Sequence, residues 1–193
     1  MYRGEDEQAT EYANKVLNAI PREWNGRVAA VYLRDRDLQA GRFSEARERY
    51  AMAFPELLDK DEPDIDRTNY GAAINLASIL FETGEQERAN ALLESSLAFL
   101  ATDERLGFRG YWVADVQAYA LQGKTTEALA ALREAIDSGW RSLWWYYLER
   151  DKNMDSIRDE PEYQAMLEEV RADMAAQFAR LREMESSGEL ALP

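Results

Sequence analysis

Carboxylates are the most abundant reactive side chains in this chain. Asp and Glu number 37 against 23 Lys and Arg, which gives a formal net charge of −14. Such groups can bind a divalent cation or act as a general acid and base. The densest group, in the segment 56–69, has the approximate spacing of a calcium-binding loop and comprises Asp59, Asp61, Asp64 and Asp66.

The segment 56–69 departs from a calcium-binding loop at two essential positions. Counted from Asp59, the sixth position holds Asp64 in place of Gly, and the twelfth holds Tyr70 in place of a chelating Glu. We therefore interpret this segment as a solvated acidic loop and predict no bound metal. Since a carboxylate pair can be assembled from almost any chain this acidic, we predict no catalytic residue either.

The other residues that commonly carry out catalysis are absent. The chain has no Cys and no His, which excludes disulfides, thiolate nucleophiles, imidazole bases and the usual zinc ligands. Its negative charge would repel a phosphate backbone, and no dense Lys/Arg stretch offsets it. The sequence predicts no enzyme, no cofactor and no direct nucleic-acid binding. It contains no signal peptide and no spanning stretch, so we predict a soluble chain without direct membrane binding, cytoplasmic or periplasmic.

Alternating charges occupy one stretch of a predicted helix. Arg34, Asp35, Arg36 and Asp37 form either a polar binding spot or an intrahelical ladder of ion pairs. We favour the ladder, and Arg34 and Asp37 are the pair to examine if both are buried.

Aromatic residues concentrate in the segment 140–147. Such a cluster can cage a cation or stack on a sugar or a base. Trp144, Tyr147 and Leu148 share one helical face, however, so we favour packing at the end of the fold.

A repeated pattern indicates the elements that position these residues. A Gly is followed five residues later by an Ala four times, with Gly-to-Gly intervals of about 37, 43 and 39 residues. Small or apolar residues recur on one helical face after each Ala. This pattern predicts a repeated helix-turn-helix unit with Gly at the turn and Ala where helices press together. The pairs are Gly4/Ala9, Gly41/Ala46, Gly84/Ala89 and Gly123/Ala128.

The predicted fold is a single all-α domain, 1–193, in which helical hairpins form a right-handed superhelix. The predicted units are a half repeat 1–21, three repeats 24–55, 70–101 and 109–139, and a C-terminal cap 140–186. Because the half repeat lacks its first helix, we expect the chain to be a fragment of a larger protein. The predicted helices cover about 5–20, 24–39, 43–54, 70–83, 86–100, 111–122 and 125–137, with a short helix in the aromatic segment.

A long final helix is predicted from the run that begins at Asp159. Pro161 comes early in it, and an acidic cap precedes it. The helix extends to about Glu185, close to 40 Å, so its distal half must contact something else or fray. One hypothesis is therefore a homodimer through this helix, with contacts from Val170, Met174, Phe178 and Leu181.

These residues resemble tetratricopeptide repeats. The unit 109–139 fits best, with Trp112, Tyr119, Gly123, Ala128 and Ala135 at the family's positions. The unit 24–55 departs from the pattern, because its first helix carries a rotated apolar face. That face comprises Val28, Val31, Tyr32 and Leu38.

The C-terminal third resembles a narrower group. The stretches 139–141, 144–145 and 155–167 are similar to the end of the repeat region in ToxR/CadC-like winged-helix transcriptional regulators and related multidomain adenylate cyclases and kinases. None of the DNA-binding or catalytic residues of those proteins has a counterpart here. The resemblance implies a sensory or interaction module of a larger bacterial signalling protein, and leaves open whether that protein is membrane-anchored.

Repeat geometry predicts a concave groove lined by the first helix of each unit. Some repeat proteins bind the terminal carboxylate of a peptide through Lys, Arg and Asn in this groove, but apart from Asn75 this chain lacks them. We therefore expect an apolar or helical peptide of a partner protein as ligand, and not a peptide bound through its terminal carboxylate. Alternatively, the long final helix or another subunit fills the groove. The predicted groove residues are Val31, Asp35, Leu38, Ile74, Ser78, Phe81, Val113, Gln117 and Ala120.

Overall fold

Helices make up all the regular structure in the described part of the chain. A computed structural model describes residues 6–60, 63–103, 105 and 110–189. Gly4 of the first Gly/Ala pair and Asp61 of the acidic segment lie outside these ranges. Two short 3₁₀ helices cover Pro55–Leu57 and Lys152–Ile157. The α-helices are α1 (Asp6–Ala19), α2 (Trp24–Gln39), α3 (Phe43–Ala53), α4 (Tyr70–Glu82), α5 (Gln86–Leu100), α6 (Ala114–Leu121), α7 (Thr125–Asp137), α8 (Trp144–Glu149) and α9 (Pro161–Ser187).

Tight turns containing Gly join the helices in pairs, as the repeated pattern predicts. Gly84 (φ 84°) and Gly123 (φ 70°) adopt the left-handed conformation that ends a helix without steric cost. The next N–H then donates back across the turn, from Glu85 to Leu80 O at 2.8 Å and from Lys124 to Tyr119 O at 3.0 Å. These turns pack α4 against α5 and α6 against α7.

Helix α6 begins three residues later than predicted. Trp112 has φ 53°, a left-handed backbone that cannot continue into a right-handed helix. Val113 is the N-cap, and α6 starts at Ala114. The prediction of a helix from residue 111 is therefore wrong, and residues 110–113 form a turn.

Two buried apolar clusters form the core, and α6 contributes to both. The first gathers side chains from α1 to α5 together with Ala114 and Ala118. The second surrounds Trp140 and gathers side chains from α6 to α9, including Val116 and Ala120. Opposite faces of one short helix thus connect the two clusters. The predicted contact alanines Ala46, Ala89 and Ala128 are fully buried.

The start of α2 lies so close to the preceding turn that only Gly fits at position 26. A Cβ on Gly26 would lie 2.0 Å from the carbonyl oxygen of Ile20, whereas a Cβ on Gly71 in α4 would meet nothing within 4 Å. We expect Gly26→Ala to lower the free energy of unfolding by about 1–3 kcal/mol. Gly71→Ala should raise it by about 0.4–1 kcal/mol. Urea denaturation measures both, and equal stability of the two variants would contradict this close approach.

The final helix has a buried first half and an exposed second half. Its core contacts come from Tyr163, Met166, Leu167 and Val170, whereas residues 175–183 are exposed. The helix starts with Pro161 in its first turn, as predicted, but its N-cap is Glu160 and no side chain caps it. The described helices include none with the length and apolar character needed to cross a membrane.

Candidate functional site

The predicted groove residues lie together on one face formed by α2, α4 and α6. Four of them are half-buried, namely Val31, Asp35, Leu38 and Phe81. The other five are buried, namely Ile74, Ser78, Val113, Gln117 and Ala120. Of these residues, Leu38, Ser78, Phe81 and Ala120 line a cavity of about 370 Å³ that the segment 152–156 also lines.

The chain's own cap segment 144–157 covers this face. The Tyr146 hydroxyl donates to Asp35 of α2. Asn153 Nδ2 donates to Asn75 Oδ1 of α4 at 2.9 Å, and Ser156 Oγ donates to the Ala120 carbonyl of α6 at 2.8 Å. The predicted groove is thus covered by α8 and the following 3₁₀ helix, and not by the long helix α9.

A buried polar cluster anchors the cap on α2. Arg34 is 1% exposed, and its guanidinium donates to Asp35 Oδ1 at 2.9 Å, to Ser78 Oγ at 3.0 Å and to Asn153 Oδ1. Its Nη1 also lies 3.9 Å from Asp151 Oδ1. We call Arg34, Asp35, Ser78, Gln117, Asp151 and Asn153 the Arg34 cluster.

Asp151 is the buried anion of the Arg34 cluster. It accepts hydrogen bonds from Gln117 Nε2 and, at 3.0 Å, from the backbone N–H of Asn153. Burial raises the pKa of the Asp151 carboxyl, and the charge of Arg34 opposes that rise. Because these polar groups point at one another, the cluster holds the cap in place and is not arranged around an external substrate.

The ion-pair ladder predicted within α2 forms only in part, through the pair of Arg34 and Asp35 at 2.9 Å. Arg34 and Asp37 are both buried, but they do not pair with each other. Asp37 instead pairs with Arg42 at 2.9 Å and with Arg49 of α3. Successive helical residues point about 100° apart, so Asp37 faces α3 whereas Arg34 faces α4 and the cap.

The acidic segment makes local hydrogen bonds. Asp66 Oδ1 accepts from the backbone N–H and the hydroxyl of Thr68, both at 2.7 Å, which lowers the pKa of Asp66. Asp64 is 96% exposed and lies 3.1 Å from Lys60. Among the described residues, no group of three carboxylates could hold a metal ion. The segment leads directly into Arg67 and Thr68, which line the surface described next.

An aromatic trough lies where the start of α2 faces α8 and the turn 110–113. It consists of two adjoining cavities of about 360 and 350 Å³, which share Trp24, Thr68 and Tyr147 as a common wall. This size is typical of small-ligand and side-chain sites. The aromatic residues that line it are Trp24, Tyr32, Phe54, Tyr70, Tyr111, Trp112, Tyr146 and Tyr147.

Large apolar side chains at the trough are exposed to solvent. Trp24 is 78% exposed, Val28 49% and Leu143 42%. Leu143 (φ 51°) also has a left-handed backbone, as does Trp112 in the other cavity. Each such residue costs of order 1–3 kcal/mol, and such strain clusters at ligand sites. Among described non-Gly residues, only these two have positive φ, and both line the trough.

The charged groups of the trough already have partners. Arg27 donates to Glu56 at 2.7 Å, and Arg67 donates to Asp103 at 2.9 Å. Asp35 is bonded to Arg34 and Tyr146. Burial and the nearby negative charge of Asp151 raise the pKa of the Tyr146 and Tyr147 hydroxyls, so both stay protonated at neutral pH.

Comparison with known proteins identifies no relative. No family model, curated protein or solved structure matches this chain. The candidate site therefore depends on geometry alone. Two signals in the sequence pointed to it. Val28, Val31 and Tyr32 of the rotated apolar face of the helix 24–39 line the trough, and so do Val31, Asp35, Val113 and Gln117 of the predicted groove. Trp24, four residues before Val28, extends that face.

The residues predicted for a dimer helix are divided between core and surface. Val170 is fully buried in the second apolar cluster, and Met174 packs against that cluster. Phe178 is 58% exposed and Leu181 42% exposed. The accessible apolar surface of α9 therefore begins beyond Met174.

Proposed function

We propose that this chain is a non-catalytic protein-interaction module, built as a tetratricopeptide-like right-handed superhelix within a larger bacterial signalling or transcription-regulating protein. Its partner binds in the aromatic trough. The observation that carries this proposal is Trp24, which is 78% exposed between two apolar cavities. Exposed Trp and Tyr side chains at such cavities are the residues that most often dominate binding energy at protein interfaces.

The trough, which includes the predicted groove residues Val31, Asp35, Val113 and Gln117, is a better partner site than the rest of that groove. The groove is covered by Tyr146, Asn153 and Ser156. Displacing that cap would also pull Leu148, Met154 and Ile157 out of the apolar core, where they are fully buried. The trough needs no such displacement.

The superhelix part of the proposal is supported by local geometry. The turns at the left-handed Gly41, Gly84 and Gly123 each pair two helices, and a fully buried Ala follows each of these turns at the predicted distance, namely Ala46, Ala89 and Ala128. Neighbouring pairs contact each other through α2, α4 and α6. Repeat modules of this kind generally bind other proteins.

Site-specific photo-crosslinking in the source organism tests the partner site. A photoreactive amino acid replaces Val28 at the trough or, as a matched control, Met52, which is 40% exposed and does not line it. We expect a crosslinked partner from position 28 that disappears when Trp24→Ala is added. Equal crosslinking from both positions, or none from position 28, would show that the trough is not the partner site.

A second candidate function is dimerisation through the exposed half of α9, and the exposure of Phe178 and Leu181 favours it. We expect the double variant Phe178→Glu, Leu181→Glu to be a monomer where the wild type is a dimer. Light scattering at about 100 μM protein measures this, because a dimer with a dissociation constant of about 1 μM is populated at that concentration. The fold should survive, because both side chains are exposed. A wild-type chain that stays monomeric at this concentration would refute this candidate.

A further inference from the structure

The charged side chains of the aromatic trough are already hydrogen-bonded within the chain. Its carboxylate, Asp35, is already bonded to Arg34 and Tyr146. The side chain of Trp24, which is 78% exposed, can only donate through its indole N–H, whereas tyrosine hydroxyls such as that of Tyr147 can donate or accept. Because the carboxylate is engaged and the indole only donates, a ligand with acceptors and few donors of its own suits the trough best.

This requirement separates the main classes of peptide ligand. An extended strand brings unpaired N–H groups and needs backbone acceptors. A helix satisfies its own backbone groups and has no use for the donors. A proline-rich segment has carbonyl acceptors but no N–H groups, and it adopts the polyproline II conformation before binding. A sugar would need free polar side chains, and Arg27, Asp35 and Arg67 are all engaged.

The shape of the trough also suits a polyproline II segment. Such a segment repeats every three residues, so prolines on one face are about 9 Å apart. Two adjoining cavities share Trp24 and Tyr147 as walls, and further aromatic side chains line each of them, so both present rings against which prolines can pack. Aromatic-lined grooves are the usual docking surface for proline-rich segments.

Charge complementarity specifies what flanks the prolines. The acidic segment leads into the trough at Arg67 and Thr68, and its residues 56–66 carry six Asp or Glu and one Lys. The whole chain has a net charge of −14. Basic residues beside the apolar segment would therefore be attracted and would bind in a salt-dependent manner.

From these observations we propose that the aromatic trough binds a proline-rich peptide in the polyproline II conformation, flanked by Lys or Arg. This inference rests on the proposed function, because it names the partner class for the same site.

Calorimetric titration of the full chain with three synthetic peptides tests the inference. The probes are an octaproline flanked at each end by two Arg, the same octaproline flanked by two Glu, and an Arg-flanked Leu/Ala helix of equal length. We expect saturable binding of the first at peptide concentrations up to about 1 mM. The Glu-flanked peptide should bind at least about fivefold more weakly at low salt, and the helix should bind more weakly still.

Trp24→Ala should weaken binding of the Arg-flanked octaproline at least tenfold, the loss typical of a dominant interface residue. The control is Tyr12→Ala, because Tyr12 is also exposed, at 59%, but lies on α1 outside the trough. Both variants should keep the helical circular dichroism of the wild type. Absence of octaproline binding, equal binding of the helix, or an unchanged affinity of Trp24→Ala would overturn the inference.

The two proposals can fail separately. If position 28 still crosslinks a partner but the octaproline does not bind, the trough remains the partner site and its occupant belongs to another class. If neither result appears, both proposals are wrong.

Discussion

Replacing Arg34 by Met is expected to lower the free energy of unfolding by about 3–5 kcal/mol, the usual cost of removing one partner from a buried ionic cluster. Arg34 and Asp151 are each 1% exposed. Without the guanidinium, Asp151 would keep only its hydrogen bonds from Gln117 and Asn153. Urea denaturation followed by circular dichroism measures the loss.

The pH dependence of this loss identifies its cause. Burial already raises the pKa of Asp151, and Arg34 opposes that rise, so the variant should have a still higher Asp151 pKa in the folded state. Between the pKa of Asp151 in the unfolded state and its higher pKa in the folded state, the folded state then binds more protons. The free energy of unfolding therefore falls as pH rises through this range. We expect Arg34→Met to be less destabilising at pH 5 than at pH 8.

Lys60→Met is the control for a cation in an exposed pair. Lys60 and Asp64 have side-chain exposures of 59% and 96%, so this variant should unfold like the wild type at both pH values. A loss in Arg34→Met that does not change with pH would mean that lost packing, and not an unpaired carboxylate, causes the destabilisation.

Trp140→Ala is expected to destabilise the chain by a similar amount, about 3–5 kcal/mol. Trp140 is fully buried at the centre of the second apolar cluster, and its ring centroid lies 6.0 Å from that of Tyr147. Removing the indole leaves a large cavity between α7, α8 and α9. Thermal and urea unfolding both report the loss.

Trp140→Phe provides the comparison. The indole N–H of Trp140 is buried and has no hydrogen-bond partner among the residues that the structure describes, and Phe removes that polar group while it keeps an aromatic ring. We expect this variant to lose less than half of what Trp140→Ala loses. Equal losses for the two variants would show that the full indole shape, and not aromatic filling in general, stabilises the cap.

Most helix boundaries were predictable because local signals determine them. Gly84 and Gly123 end their helices through backbone conformations that few other residues adopt, and Pro161 opens α9 as predicted. The start of α6 was not predictable. Trp112 adopts a left-handed backbone that local propensity disfavours, so only tertiary packing can explain it.

The candidate site was less predictable, because residues distant in the sequence form it. Trp24, Tyr70 and Tyr147 meet only when the cap folds back over the first helices. The same is true of Arg34, whose polar partners Ser78 and Asn153 lie on different elements. Periodicity identifies the buried face of a helix, but it does not identify what that face contacts.

The distance along the chain between Arg34 and the cap affects how the protein is made. Arg34 and Asn153 are 119 residues apart. At about 5–20 residues per second, a ribosome needs roughly 6–24 s after it adds Arg34 before it adds Asn153. Throughout that time the Arg34 side chain lacks its cap partners, and once α6 is made the α2–α4–α6 face is complete but uncovered. A message truncated before the codon for Asp151 would therefore yield a product that cannot complete its fold and that quality-control proteases should degrade.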